Sequence, residues 1–281
     1  MPKKPSSFSF SFPFSKILSI CLIVFLLLTS LLCMPACGVI DESDPPEVNT
    51  YPLPAGGQPS DPDDPDAPPR KRVAITFDDG PHIIYTKQIV NELDRYGFTA
   101  TFFVVGNRAD GTAYKQNNVL SFIANQGHEI AIHGYTHDVY YDECTDSTFN
   151  FEMSETQRVI QTQVPGYDVK LMRPVGGAIT SERAAACPYS VVMWSVDSED
   201  WRYKYKSGDT AEQQQEKVDT IVNNVMNSVR DGSIILLHDI YESTYDATCI
   251  ILARLYEEGY EVVSVSELLG DPQPGVTYRQ K

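Results

Sequence analysis

Basic residues are scarce in this sequence of 281 residues, which carries 22 Lys and Arg against 38 Asp and Glu. The formal net charge is therefore −16. A surface with such an excess of negative charge repels phosphate groups, so nucleic acid is not an expected partner. A neutral substrate such as a glycan is compatible with this balance. The sequence also contains no internal repeat, and its folded part is long enough to bury one core.

Cysteine is also rare, with six residues in the whole sequence. None of them forms a CxxC pair, so a zinc site built on cysteine is not supported. Three cysteines lie in the first forty residues. The other three are Cys144, Cys187 and Cys249. Outside the cell these three could form one disulfide and leave a free thiol, and three free buried thiols are the alternative.

The first forty residues have the composition of a targeting segment. Three lysines precede an apolar run over residues 17–32, which is slightly long for a secretory signal and short for a membrane span. The following Met34-Pro35-Ala36-Cys37 resembles a bacterial lipobox, with Met34 at the position of the usual Leu. We expect residues 1–36 to be a signal peptide or lipoprotein signal with Cys37 as the lipidated residue. An uncleaved anchor is the alternative, and both place the folded part outside the cytoplasm, with membrane contact only through this segment.

The segment 37–71 is predicted to be a disordered linker because it is dense in Pro and Asp. Its centre reads Asp61-Pro62-Asp63-Asp64-Pro65-Asp66. Such a stretch cannot bury enough apolar surface to fold, and its prolines keep it extended. We expect a folded domain over residues 72–270 and a short C-terminal tail over residues 271–281.

Seven short apolar runs rich in Val, Ile or Phe alternate with helix-like stretches through the predicted domain. The runs cover residues 73–77, 101–105, 129–133, 170–175, 191–196, 234–237 and 261–265. The helix-like stretches cover residues 86–96, 114–125, 149–161, 211–229 and 247–258. Short continuous apolar runs are typical of buried parallel strands. The pattern predicts an α/β fold in which helices cover a parallel sheet, either open or closed as a barrel.

Ionisable residues suited to metal binding follow two of these predicted strands. In parallel α/β folds the carboxyl ends of the strands meet at one edge, where function collects. His133 and His137 are four residues apart, so both could reach one ion if that segment begins a helix. Asp79 adds a carboxylate. These three residues predict a divalent metal site, most suited to zinc, with cobalt or nickel as alternatives.

Further groups at the same predicted edge suit acid–base chemistry. Asp78 could serve as a base beside a metal held by its neighbour. His238 could act as a general acid if Asp200 or Asp197 accepts its ring proton, and Arg173 could hold one of the carboxylates. Together with the metal, this set predicts hydrolysis of an amide or an ester.

Each of these features also has a simpler structural interpretation. Histidines at this spacing occur on ordinary surfaces, and Asp79-Gly80-Pro81 is strong turn chemistry. His238 could be a satisfied core histidine, and Arg173 a structural ion-pair partner.

The ordered motifs TFDDGP, HxxxH, RP-x-x-G, DxxDW and LLHD resemble those of the polysaccharide deacetylases with the NodB homology domain, carbohydrate esterase family 4. The resemblance covers residues 72–269. It implies a distorted (β/α) barrel with about seven parallel strands. It also implies removal of N-acetyl groups from GlcNAc-type sugars, or of O-acetyl groups in members that act on xylan.

By motif position, the resemblance implies a role for each residue of the site. Asp78 would be the general base that activates the attacking water, and Arg173 would orient it. His238 would be the general acid that protonates the leaving nitrogen, and Asp200 would raise its pKa. The metal ligands would be Asp79, His133 and His137.

The resemblance also implies a substrate pocket, in which this sequence departs from the family. Trp201 and Leu236 would form walls around the acetyl methyl group. The family usually has Arg-Pro-Pro-Tyr or Arg-Pro-Pro-Phe after the fourth strand, whereas this sequence has Val175 and Gly176 at the last two positions. Gly176 can still offer its backbone N–H to an oxyanion, but an aromatic wall of the groove is missing.

Three hypotheses for function follow. The first is an N-deacetylase acting on cell-wall peptidoglycan or a related GlcNAc polymer. The second is an O-acetyl esterase acting on a plant polysaccharide such as xylan, for which the small Gly176 would open the groove. The third is an inactive glycan-binding lipoprotein, which only the altered motif after the fourth strand supports.

Overall fold

The computed structural model of the protein describes residues 70–281. The predicted signal 1–36, the lipidation candidate Cys37 and all but the last two residues of the predicted linker 37–71 lie outside the described residues. The first strand begins at Lys71, one residue before the predicted start of the domain. No helix within residues 70–281 combines the length and the apolarity needed to cross a membrane.

Within this range nine strands form one sheet, and all of their pairings are parallel. The strands are β1 (Lys71–Asp78), β2 (Thr101–Val104), β3 (Glu129–Ile132), β4 (Leu171–Met172), β5 (Ser190–Val192), β6 (Val196–Asp197), β7 (Ile234–His238), β8 (Tyr260–Val263) and β9 (Thr277–Tyr278). Their order is β6-β7-β1-β2-β3-β4-β5-β9. β8 pairs with the first half of β1, and β2 pairs with its second half.

The sheet curls, and the two ends of its strand order, β6 and β9, come close together near residues 193–195. The predicted strand 191–196 is wrong as a continuous strand, because it divides into β5 and β6, which lie at opposite parts of the strand order. The Met193 N–H donates to the Tyr278 carbonyl of β9, and the Ser195 N–H donates to the Ile234 carbonyl of β7. The chain thus leaves one edge and joins the other within a few residues. The result is the predicted distorted (β/α) barrel, with two more short strands than expected.

Nine α-helices surround the sheet within the described residues. They are α1 (Tyr85–Arg95), α2 (Gly106–Asp110), α3 (Thr112–Gln116), α4 (Val119–Asn125), α5 (Asp146–Gln163), α6 (Ser181–Ala186), α7 (Ala211–Met226), α8 (Glu242–Glu257) and α9 (Val265–Leu269). The predicted helix 114–125 is divided into α3 and α4, because Asn118 adopts a left-handed conformation with φ of 51°. The Thr210 hydroxyl and the Gln213 side chain form a capping box that fixes the start of α7.

Alternate residues of the strands face two different cores. Val73, Ile75 and Phe77 of β1 pack in the larger core, which contains the apolar faces of the helices. Ala74 packs in a smaller core formed by interior residues of the barrel. The other strand members of that smaller core are Phe103, Ala131, Leu171, Val192, Ile234 and Val263. Because side chains alternate, the side chain of Asp78 follows the interior face, and its register partner His238 does the same on β7.

The segment 271–281, expected to be a C-terminal tail, contributes a short strand to the sheet. Thr277 and Tyr278 form β9 and pair in parallel with β5. The Gly275 N–H donates to the Tyr189 carbonyl, and a Cβ at Gly275 would lie 2.6 Å from the Ala185 carbonyl oxygen. A two-residue strand has too short an alternation to be detected in a sequence.

The three cysteines of the described region are free thiols. Cys187 and Cys249 are buried, and Cys144 is half-buried. Burial raises the pKa of the Cys249 thiol to about 12, so this residue stays a protonated core side chain. Of the two alternatives for these cysteines, the structure shows the one without a disulfide.

Candidate active site

The site begins where β1 ends. Asp78 is the last residue of the strand and is buried, whereas Asp79 leaves the strand with a left-handed φ of 70°. The two adjacent carboxylates leave the backbone differently but both approach Nε2 of His133, with Oδ2 of Asp78 at 3.6 Å and Oδ1 of Asp79 at 3.4 Å. The Asp78 carboxylate receives a hydrogen bond of 2.7 Å from Nη1 of Arg173.

Arg173 follows β4 and lies completely buried inside the barrel. In addition to Asp78, its guanidinium donates to the carbonyl oxygens of Val192, at 3.1 Å, and Met193, at 3.2 Å. The guanidinium carbon also lies 4.1 Å from the centre of the Phe103 ring, at the top of the smaller core. Burial lowers the pKa of Arg173, and the charge of Asp78 opposes that effect. The predicted pairing of Arg173 with a carboxylate is present, and the carboxylate is Asp78.

His133 and His137 lie on a loop that follows β3, so the helical start that would bring them together by spacing is not present. Gly134, with φ of 89°, and His137, with φ of 66°, turn the backbone so that the two rings lie 5.3 Å apart. A Cβ at Gly134 would lie 3.1 Å from Oε2 of Glu152. Glycine is therefore favoured at this position both by the left-handed φ and by the lack of room for a side chain. The two histidines converge through a tight turn, and helical spacing plays no part.

Asp79, His133 and His137 form a group whose ligand atoms all lie within 4.8 Å of one another. Oδ1 of Asp79 lies 2.8 Å from Nε2 of His137 and 3.4 Å from Nε2 of His133. Nδ1 of His133 donates to the Arg173 carbonyl at 2.9 Å, so the lone pair of a neutral ring lies on Nε2. Despite these short distances, the buried Oδ1 accepts no well-aligned hydrogen bond. The carboxylate oxygen of Asp79 and one nitrogen from each imidazole thus converge as three ligand atoms that fit a divalent cation.

The electrostatics of Asp79 are consistent with that fit. Burial alone would raise the pKa of Asp79, but the adjacent imidazoles of His133 and His137 outweigh burial and hold the pKa well below its usual range. Asp79 is therefore ionised at neutral pH, as a metal ligand must be.

Glu152 on α5 holds the loop between the two histidines, and the sequence did not indicate this role. Its side chain is 1% exposed. Oε2 accepts from the backbone N–H groups of Tyr135 at 2.6 Å and Thr136 at 2.9 Å, and Oε1 accepts from the Thr136 hydroxyl at 2.7 Å. A charged residue on the buried face of a helix is the only signal the sequence offers, and it does not say which loop is bound.

His238 lies opposite Asp78 in the register of β1 and β7. Its Nδ1 lies 2.7 Å from Oδ1 of the fully buried Asp200, while Oδ2 of Asp200 accepts from the His238 N–H and the Thr244 hydroxyl, both at 2.7 Å. Burial lowers the pKa of His238, but the charge and hydrogen bond of Asp200 outweigh it and raise the pKa to about 9. Of the two carboxylates considered for this role, Asp200 is the partner. Asp197 instead accepts from the Glu199 N–H at 2.8 Å.

Asp239 is a second supporting residue that the sequence did not indicate. It is buried next to the turn that follows Asp79, and a Cβ built on Gly80 would lie 2.5 Å from its Oδ2. The Thr86 hydroxyl donates to the same Oδ2. Burial raises the pKa of Asp239 to about 7. The turn that carries Asp79 therefore packs closely on a buried carboxyl group, and only glycine leaves room for it.

The three predicted substrate-contact residues lie in different environments. Leu236 is buried on β7, opposite Asp197 of β6 and two residues before His238. Trp201 is 45% exposed, and the guanidinium carbon of Arg202 lies 4.8 Å from its ring centre. Gly176 has a left-handed φ of 59° within the short 3₁₀ turn Val175–Gly177, directly after the segment that carries Arg173.

Comparison with known proteins gives a consistent result. The family model described as polysaccharide deacetylase matches residues 66–192. A peptidoglycan-N-acetylglucosamine deacetylase of Listeria monocytogenes, PgdA, is 31% identical over 78% of this chain and 44% of its own length. A chitooligosaccharide deacetylase of Rhizobium leguminosarum bv. phaseoli is 35% identical over 60% of this chain and 69% of its own length. The chain thus spans less than half of the longer Listeria relative.

Solved structures with the same fold include two proteins of different named activity. The peptidoglycan deacetylase PdaC from Bacillus subtilis aligns with a TM-score of 0.63 and 34% identity, over 72% of this chain and 91% of that one. A family 4 acetyl xylan esterase from Clostridium thermocellum, in complex with a cobalt ion, aligns with a TM-score of 0.63 and 30% identity. That alignment covers 75% of this chain and 98% of the esterase.

Proposed function

Because this chain belongs to the polysaccharide deacetylase family, we propose that it is a metal-dependent hydrolase that removes N-acetyl groups from a GlcNAc-containing polysaccharide, and that cell-wall peptidoglycan is its substrate. One observation carries this proposal. The group of Asp79, His133 and His137 lies at the same end of the barrel as Asp78 and His238, which are register partners on adjacent strands. The relative named as a peptidoglycan deacetylase supports the choice of substrate.

In this proposal Asp79, His133 and His137 hold the metal. Two imidazoles and one carboxylate suit zinc best, and cobalt or nickel are alternatives. Three protein ligands leave coordination positions open for a water and a substrate oxygen. When bound, such a metal polarises the acetyl carbonyl and lowers the pKa of a coordinated water.

Asp78 is the proposed general base. Arg173 holds its Oδ1 at 2.7 Å, which leaves Oδ2 free to take a proton from the attacking water. Oδ2 also lies 3.6 Å from Nε2 of His133, so it faces the metal group. Arg173 thus acts as a positioning residue that directs one oxygen of the base into the site.

His238 is the proposed general acid. With its pKa raised to about 9, its ring is protonated at neutral pH. Nδ1–H donates to Asp200, so Nε2–H is the proton that can pass to the leaving nitrogen of the amide. Asp200 accepts two further hydrogen bonds, which fix its carboxylate and through it the orientation of the imidazole.

The remaining residues shape the substrate groove. We assign the Gly176 N–H as a donor to the oxyanion that forms during hydrolysis. Leu236 and Trp201 would bound the space for the acetyl methyl group. Leu236 is buried directly below His238 on the same strand face, which suits an apolar methyl pocket.

An acetate-release assay tests the proposal. The purified protein, loaded with zinc or cobalt, is incubated with acetylated GlcNAc oligomers, with peptidoglycan and with acetyl-xylan. We expect acetate from the first two substrates and loss of activity after chelation, with recovery when the metal is restored. Absence of acetate from every glycan, with metal bound in the expected ratio, would overturn the proposal.

O-acetyl ester hydrolysis on xylan is a second candidate, because the acetyl xylan esterase aligns with the same TM-score as the peptidoglycan deacetylase. Faster turnover of acetyl-xylan than of GlcNAc oligomers would favour it. A third candidate is an inactive glycan-binding protein. The presence of Asp78 and His238 with their hydrogen-bond partners speaks against it, and glycan affinity without turnover at any metal would support it.

We further propose that the protein acts outside the cytoplasm. Residues 1–36 would direct export, lipidation of Cys37 would anchor the chain, and residues 37–71 would tether the domain from the membrane. Incorporation of a labelled fatty acid in wild-type protein and its loss in Cys37→Ala is the expected result. Labelling that persists in Cys37→Ala would exclude Cys37 as the anchor.

A further inference from the structure

Tyr140 has the largest exposed fraction, 58%, among the exposed large apolar and aromatic side chains of residues 70–281. It lies three residues after His137, on the loop that leads away from the proposed metal ligands. Its ring lies against Gly176. A Cβ built on Gly176 would be 3.1 Å from Cε1 and 3.8 Å from Cδ1 of Tyr140.

The backbone that carries this exposed ring is held firmly. The next residue, Tyr141, is fully buried and donates its N–H to the Ala178 carbonyl at 3.0 Å. Tyr141 also forms a parallel bridge with Ile179, and its own carbonyl accepts from Arg183. The loop of Tyr140 is therefore joined to the segment that follows Gly176. The backbone that carries the ring is therefore held in place, so the exposure of Tyr140 does not result from a loose loop.

A single exposed aromatic side chain needs no special explanation in general. The position of Tyr140 is what distinguishes it. Gly176 presents no side chain at the turn that follows Arg173, and the Tyr140 ring fills the space that a side chain there would enter. An aromatic residue at position 176 would collide with this ring. Its φ of 59° would also be unfavourable for a bulky residue. The glycine and the tyrosine are thus complementary.

We propose that Tyr140 is the aromatic wall of the substrate groove and that it stacks on the sugar ring next to the one whose acetyl group is removed. Pyranose rings have apolar C–H faces, and a fixed aromatic ring binds such a face with little loss of side-chain entropy. Tyr140 is then a specificity-determining residue for a polymeric N-acetylated hexosamine. This inference rests on the proposed function, because it requires a glycan substrate.

Kinetics and binding of two variants at this position test the inference. The purified protein, as wild type, Tyr140→Ala and Tyr140→Phe, is assayed with a fully acetylated GlcNAc pentamer in the zinc-loaded form. Binding of the same pentamer to metal-stripped protein is measured by calorimetry. We expect Tyr140→Ala to raise both KM and the dissociation constant about threefold to tenfold, with kcat changed by less than about twofold. Tyr140→Phe keeps the ring and should restore most of the affinity.

The outcomes separate this inference from the proposed function. If wild type releases acetate and Tyr140→Ala has an unchanged KM and dissociation constant, the inference is overturned while the function stands. The same holds if Tyr140→Ala lowers kcat alone. If wild type binds the pentamer without releasing acetate, the function fails and the binding data still decide the role of Tyr140. If wild type neither binds nor hydrolyses the pentamer, both are overturned.

Discussion

The histidine loop, residues 134–136 between His133 and His137, should contribute to metal binding separately from the ligand side chains themselves. Replacement of Glu152 by alanine tests this contribution. Glu152 touches no proposed ligand atom, yet it accepts three hydrogen bonds from Tyr135 and Thr136, two of the three residues between His133 and His137. Without these bonds the loop is held at its middle chiefly by backbone contacts with residues 106 and 107. We expect His137 to lose its orientation first, because its side chain is the more exposed of the two histidines.

The size of the effect follows from the contacts. Glu152→Ala leaves two backbone N–H groups without an acceptor in a part-buried loop. Each unsatisfied donor costs about 1–3 kcal/mol, so we expect the free energy of unfolding to fall by about 2–6 kcal/mol. Loss of a group that orients a metal ligand typically weakens metal binding by about 10- to 100-fold. Chemical denaturation and zinc titration by calorimetry measure these two quantities.

Glu152→Gln is the matched control. Its amide oxygen can accept from both backbone N–H groups, and the Thr136 hydroxyl can reverse and accept from the amide nitrogen. The three hydrogen bonds persist in neutral form, so we expect a loss of only about 1 kcal/mol and nearly unchanged zinc affinity. If Glu152→Ala binds zinc as tightly as wild type, the loop does not depend on Glu152. If glutamine weakens binding as much as alanine, charge rather than geometry is the cause.

Three further predictions concern the reacting groups and their support. Asp78→Asn should lower kcat by about 10²- to 10⁴-fold while zinc remains bound, as measured by acetate release and metal analysis. His238, with its pKa near 9, should lose activity as pH rises towards 9, and Asp200→Asn should move this alkaline limb down by roughly one pH unit or more. Gly80→Ala should destabilise the fold by about 1–3 kcal/mol and weaken zinc binding, because the new Cβ meets the Asp239 carboxyl.

The pH prediction and the Gly80→Ala prediction each need a control. The proton on His238 also stabilises the fold below its ordinary pKa of 6.5, and this contribution disappears as pH rises through about 9. Unfolding measured at each pH therefore separates inactivation from loss of structure. A bound metal adds positive charge and shifts the limb to lower pH, so the limb should lie at or below 9. Gly111→Ala is the matched control, because Gly111 has φ of −60° and its added Cβ comes no closer than 3.1 Å to a neighbouring atom. Equal losses for Gly80→Ala and Gly111→Ala would contradict the steric account.

The sequence predicted which residues lie close together better than it predicted the local geometry that brings them there. Asp78 and His238 follow apolar runs, and parallel strands bring their carboxyl ends together, so the meeting of these residues could be inferred. The approach of His133 and His137 was also inferred, but from helical spacing. The structure achieves it through positive φ angles at Gly134 and His137, which residue spacing does not reveal.

Residues that act through long-range contacts could not be predicted. Glu152 reaches the histidine loop from a helix that is otherwise ordinary in sequence, and Asp239 contacts Gly80 across more than 150 positions. The break between β5 and β6 has the same origin. The chain is apolar on both sides of Met193, and competition for partners between β9 and β7 decides where it turns. The intrinsic strand propensity of these residues does not indicate which of two distant strands each will pair with.

Arg173 both holds the proposed base and stabilises the fold, and this double role affects how activity can be lost over evolutionary time. Its guanidinium holds Asp78 and also donates to the backbone of Val192 and Met193, where the sheet changes edges. Removal of one partner of a buried ion pair costs about 3–5 kcal/mol, a large part of the usual 5–15 kcal/mol of a domain. A substitution at Arg173 is therefore expected to prevent folding and to be eliminated, whereas a substitution at the exposed Trp201 leaves a folded protein. An inactive homologue that still folds should therefore retain the equivalent of Arg173 and carry its substitutions at exposed positions such as that of Trp201.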